Sequence, residues 1–265
     1  HGMNVSGDVN LSEEERQKNR HDIGKGILEH PLYDDYYRDR NVNDFSKIKT
    51  PLLSAGNWGG QGLHLRGNVE GFMRCGSEEK YLEIHGLEHW TKFYTDDGIA
   101  LQKQFLGYYL KGEDNGWKER RKVNLKIRYL DHFEERWEDE WPIARTQYQR
   151  LYLQPDSFQL ADRPAAAGGQ VTYAGMGDGV TFMTAPLTEE VEITGHSLIH
   201  LTASSATSDA DLFVILRAFA PDMKEVTFSG ANDRYVPLAQ GWLRLSHRKL
   251  DPEVSTPWRP YYAHD

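Results

Sequence analysis

Ile48-Lys49-Thr50-Pro51-Leu52-Leu53-Ser54-Ala55-Gly56 is a short apolar run that follows a proline and stops at a glycine, the pattern of a buried strand opening onto a loop. Lys80-Tyr81-Leu82-Glu83-Ile84-His85-Gly86 repeats that pattern. Residues 63–74 between them are long enough for a crossover helix, so the two runs predict one right-handed βαβ unit with parallel strands. Beyond His89-Trp90, Leu101, Phe105, Tyr108 and Tyr109 stand at i, i+4, i+7 and i+8, which predicts an amphipathic helix. Asp96 and Asp97 favour its amino end through the helix dipole, and Gly112 supplies its stop.

Upstream, residues 11–37 are polar, with a capping-box pattern from Ser12 to Glu15 and aromatics at Tyr33, Tyr36 and Tyr37, and predict short helices and loops. Downstream of residues 118–122 the periodicity changes. Residues 123–129 alternate, as do parts of 148–153, 198–202 and 211–219, with Gly, Pro and Asp between them. This predicts an antiparallel sandwich of jelly-roll type, with Leu212, Val214 and Leu216 on one face. Ala165-Ala166-Ala167-Gly168-Gly169 is expected to be a flexible loop, and there is no internal repeat.

The chain has 265 residues, enough for one large domain or two modest ones. Its formal charge of −9 argues against a nucleic-acid partner, since the one basic cluster, Lys118 to Lys122, is followed by an acidic run. The single cysteine, Cys75, has no second thiol for a disulfide or metal site. A reducing compartment such as the cytoplasm suits it, and localisation stays open. No apolar run is long enough for a membrane span, and no signal-like segment opens the chain, so a soluble protein is expected. His1-Gly2 before Met3 has the look of a tag remnant.

Two parallel strands leave apolar faces wet and edges unpaired, so more polypeptide is expected to precede this α/β part. Asn57-Trp58-Gly59-Gly60-Gln61-Gly62-Leu63-His64 with His85-Gly86-Leu87-Glu88-His89-Trp90 resembles the cocaine esterase (CocE/NonD) and X-Pro dipeptidyl-peptidase family of serine hydrolases. Gly195-His196-Ser197-Leu198, Ser208-Asp209-Ala210-Asp211-Leu212 and Gly241-Trp242-Leu243-Arg244-Leu245-Ser246-His247-Arg248 resemble that family's carboxy-terminal jelly roll. The resemblance implies the end of a helical cap over residues 1–47, the last strands of an α/β-hydrolase domain over 48–122, and a jelly roll over 123–265, short of its final strands. A second chain could complete that edge, as in a homo-oligomer.

It also implies a triad whose serine sits on a Gly-x-Ser-x-Gly elbow, and no such elbow is present. Gly195-His196-Ser197-Leu198-Ile199 lacks the last glycine and is expected to run on as a strand through Leu201 and Thr202. His89 falls where the family places its general base. No carboxylate stands at the usual place for the acid, which leaves Glu70 and Glu88 as nearby candidates or an altered triad. Trp58, His64 and Trp90 are candidates for lining the acyl pocket, with simple packing as the alternative. His85 and His89 lack the helix and carboxylate of a zinc motif, and neither metal nor cofactor is implied.

Two functions follow. One is part of a serine hydrolase cleaving a small ester, amide or X-Pro peptide through an acyl-enzyme, the nucleophile being supplied by a companion amino-terminal segment. The other is a non-catalytic jelly-roll binding or structural module.

Overall fold

A computed structural model describes residues 11–265. The tag-like start lies outside the described residues. The chain opens with three short helices, α1 (Glu13–Lys18), α2 (Ile23–Glu29) and α3 (Asp35–Arg38). Each starts at a side-chain cap, Ser12, Asp22 and Asp34 respectively, and Ser12 with Glu15 closes the full capping box.

The βαβ unit follows as expected. Strand β1 (Leu52–Asn57) leads through α4 (Leu65–Arg74) to β2 (Lys80–His85), and the strands pair in parallel with Leu52 opposite Lys80 and Asn57 opposite His85. A short helix, α5 (Thr91–Tyr94), precedes α6 (Asp96–Lys111). Helix α6 carries both aspartates in its first turn, and Gly112 caps it in the left-handed conformation at φ 70°.

The next strand corrects the sequence reading, which counted only two strands for this sheet. Strand β3 (Val123–Arg128) pairs in parallel with β2, and β4 (Phe133–Glu138) returns antiparallel to it, giving one sheet in the order β1-β2-β3-β4. Alternation identifies a strand but not its neighbour. The neighbour here is set by burial, because Val123 and Leu125 join Leu82 and Ile84 in the core, all four at 1% exposure or less. Val69 and Phe72 of α4 cover that layer, and Trp141 and Ile143 extend it. Burying each large aliphatic side chain of this kind contributes roughly 1.5–3 kcal/mol.

Beyond β4 the pairing is antiparallel throughout the named strands. Strand β5 (Tyr152–Gln154) pairs with β6 (Gln159–Ala161), β7 (Asp211–Leu216) with β10 (Ala239–Arg244), and β8 (Ala218–Phe219) with β9 (Glu225–Val226). In β7, Leu212, Val214 and Leu216 share the more buried face, while Phe213 and Ile215 face outward. The expected strand over residues 198–202 does not form, and residues 148–153 contribute only the start of β5. Leu198, Ile199 and Leu201 remain exposed. A strand needs a second edge for its N–H and C=O groups, and this segment pairs with none among the described residues.

Two family-like motifs interlock across the β7–β10 pair. Arg244 donates to both carboxylate oxygens of Asp211 at 2.8 and 2.9 Å. The backbone N–H and hydroxyl of Ser246 donate to Asp209 at 3.1 and 2.5 Å. The Ser-Asp-Ala-Asp and Gly-Trp-Leu-Arg-Leu-Ser sequences are therefore two halves of one hydrogen-bonded joint.

Candidate active site

Because β1 and β2 are parallel and in register, the loops after Asn57 and His85 leave the same edge of the sheet, the carboxyl edge where open α/β sheets place their ligands. The first loop turns tightly into α4, with the N–H groups of Gly60, His64 and Leu65 bonded to the carbonyls of Asn57, Gly60 and Gly60. It is pressed against the β-rich half so closely that a Cβ on Gly59 would overlap the Ser229 carbonyl. Asn57 Nδ2 donates to the Ser229 carbonyl at 3.2 Å, and Gln61 Nε2 donates to the Pro237 and Leu238 carbonyls at 2.8 Å each.

His64 ends that loop at the N-cap position of α4 but makes no side-chain cap bond. Its ring lies flat on His89, with centroids 4.1 Å apart and planes at 14°. Trp90 meets His89 edge-on at 6.2 Å and is half exposed. The second loop thus brings His89 and Trp90 to the point where the first loop delivers His64. Trp58 points elsewhere, its Nε1 donating to the Lys126 carbonyl at 2.7 Å and its ring against Trp141 and Phe228.

Neither candidate acid reaches the His89 ring. Glu88 accepts from Thr91 Oγ1 at 3.0 Å, and Glu70, buried on α4, is ion-paired with Arg259. Partial burial, then the neighbouring His64, hold His89 below the ordinary imidazole value and keep it in the neutral form a base requires. His85 is buried at the end of β2, and its pKa is pushed down to about 4 by burial first, then by Lys92 and His89. Behind it, Lys92 is buried between Glu83, at 3.4 Å, and Asp97. No group of three metal-ligating side chains occurs among the described residues, and no helix among them is long and apolar enough to cross a membrane.

An open groove of about 380 Å³ runs beside β1 and α4, lined by Phe45, Leu52, Ser54, His64 and Asn68 among others. It reaches His64 at the amino end of α4.

Residues 115–261 match the X-Pro dipeptidyl-peptidase C-terminal non-catalytic domain. The chain belongs to that family.

A crystal structure of a CocE/NonD family hydrolase from Staphylococcus aureus, SACOL2612, is 28% identical and superposes with a TM-score of 0.74 over 92% of this chain. A second structure of that hydrolase gives 0.76 over 95%. A Mycobacterium bovis protein carrying the name serine esterase Mb1866c is 27% identical over 189 residues, covering 59% of this chain, and a Mycobacterium tuberculosis counterpart gives the same figures. The chain spans 45–46% of the length of the solved hydrolase and 27% of the esterases. The resemblance to the carboxy-terminal portion of a CocE/NonD hydrolase therefore rests on both sequence and fold.

Sequence reasoning brought out His64, His89 and Trp90 but missed Gln61 and Asn57, which tie the loop to the β-rich half. Their signal was weak: one amide between glycines and another at a strand end, whose partners lie more than 170 residues away.

Proposed function

We propose that this chain supplies the general base and the substrate-side wall of a serine hydrolase that cleaves small esters, amides or X-Pro peptides through an acyl-enzyme. The nucleophilic serine comes from a complementary amino-terminal segment. In this reading His89 takes the serine proton during attack and returns it to the leaving group. The observation that carries it is the position of His89, neutral and partly exposed at the carboxyl edge of two parallel strands, with the tightly turned loop of β1 delivering His64 beside it. The family's serine hydrolases and esterases support the reaction class.

Residues 48–122 then serve as the last part of an α/β-hydrolase domain, with residues 11–47 as the end of its cap. Residues 123–265 begin with β3 and β4, which extend that sheet, and continue as a jelly-roll module that clamps the β1 loop onto itself through Asn57 and Gln61. The free edge of β1, with the groove beside it, is the place where a complementary segment would add its strand. The test is turnover of a p-nitrophenyl acyl ester by this chain mixed with a polypeptide that contributes a Gly-x-Ser-x-Gly elbow. Turnover should require both polypeptides and be lost in His89→Ala; equal turnover by His89→Ala would refute the assignment.

A second reading is favoured by the family description of residues 115–261 as non-catalytic. The β-rich half would then act only as a binding or structural module. Hydrolysis by a two-part assembly that ends after Ile143, keeping β3, β4 and the core they complete, would favour that separation of roles.

A further inference from the structure

We propose that His64 is a positioning residue for His89, holding the base by ring stacking where a carboxylate would otherwise orient it. This rests on the reading of His89 as the base, and the test below is independent of any nucleophile. In a hydrolase triad the third group fixes the plane of the imidazole and stabilises its cation. Neither nearby carboxylate is free for that task, since Glu88 is bonded to Thr91 and Glu70 to Arg259. The flat contact on the His89 ring comes from His64 instead, at 4.1 Å and 14°.

The local structure shows that His64 is committed to this contact. It stands at the N-cap of a ten-residue helix, where Ser, Thr, Asp or Asn would accept a backbone N–H, and its side chain makes no such bond. The main chain beneath it is fixed by the bonds from His64 and Leu65 to Gly60, and Gln61 anchors the loop to residues 237–238. The ring therefore rests on a rigid support.

A stacked imidazole orients differently from a carboxylate. It fixes the ring plane but repels a second positive charge, and the amino end of α4 repels one as well. The other titratable and charged groups around His89 are His85 on β2, itself uncharged, Glu88 on the same loop, and Arg234 beside Glu88. A carboxylate partner would raise the midpoint of His89 above the ordinary 6.5, whereas burial first and His64 second hold it below.

The experiment is an imidazole NMR titration of the full 265-residue chain as wild type, His64→Phe and His64→Ala. Phenylalanine keeps a stacking face and removes the charge; alanine removes both. In wild type His89 should titrate below 6.5. Both variants should raise that midpoint by on the order of half a pH unit. The ring-current shift of the His89 Cε1 proton should persist in His64→Phe and vanish in His64→Ala. The tryptophan spectrum reports whether each variant is folded, and His64→Phe alone decides the point if alanine unfolds the loop. An unchanged midpoint in a folded His64→Phe chain, or a wild-type midpoint above 6.5, would overturn the proposal without touching the assignment of His89 as the base.

Discussion

Gln61 reaches across the molecule to the Leu238 carbonyl at 2.8 Å, so the loop that delivers His64 is fastened to a segment 177 residues away in the chain. The same amide nitrogen also bonds the Pro237 carbonyl, and Asn57 adds a third tie at Ser229. The candidate site is thus shaped by the β-rich half as much as by the sheet that bears it.

Replacing Gln61 by Ala should strand two partly buried carbonyls and cost about 1–3 kcal/mol. Urea unfolding should show the loss in the midpoint, and amide hydrogen exchange should show faster opening at residues 58–64. Unchanged protection in that loop would show that packing at Gly59 fixes it without the amide.

Glu70 and Arg259 are both largely buried, with side chains 11% and 15% exposed. Truncating Arg259 to Ala should leave an unpaired buried carboxylate and destabilise by about 3 kcal/mol or more. The double change of Glu70→Leu with Arg259→Leu should recover much of that loss. In contrast, Arg244→Ala, which breaks the exposed pair with Asp211, should cost about 1 kcal/mol or less. Denaturant midpoints of the three variants check both expectations together.

The legible part of this molecule was local. Pro51 precedes β1 and Gly56 lies one residue before its end, and the spacing of Leu101, Phe105 and Tyr108 marks α6 down to its Gly112 cap, because each signal is local to one element. His89 was singled out as a candidate through its motif. The placement of β3 beside β2 was not legible, since alternation states that a segment is extended and not which edge receives it. Residues 198–202 failed for the converse reason: the pattern was present and the partner edge was not. The roles of Glu70 and Glu88 were open in the sequence because both stand near His89 in the chain, and their real partners, Arg259 and Thr91, emerge only from the packing.

Stability should fall with acid in a window set by His85. Its folded value is depressed to about 4 from the ordinary 6.5, so the unfolded chain binds its proton first as pH falls. The contribution of the neutral, buried ring is complete above 6.5 and is lost progressively between 6.5 and about 4, amounting to about 3 kcal/mol. His85→Gln should flatten that part of the curve. His196, depressed in the same direction by burial, should leave a residual slope. Urea midpoints at intervals from pH 7 to pH 4 measure the difference, and parallel curves for wild type and His85→Gln would contradict the assignment.

Covalent labelling with a fluorophosphonate probe tests the central claim most directly, because it reads the activated serine itself. The 265-residue chain alone should remain unlabelled, since His89 without an elbow serine has nothing to activate. Addition of an amino-terminal segment bearing a Gly-x-Ser-x-Gly elbow should produce labelling of that segment, and His89→Ala should reduce its rate on the order of 10⁴-fold while the two polypeptides still associate. Stoichiometric labelling of the isolated chain at one of its own serines would contradict the claim, and with it the place given to His89.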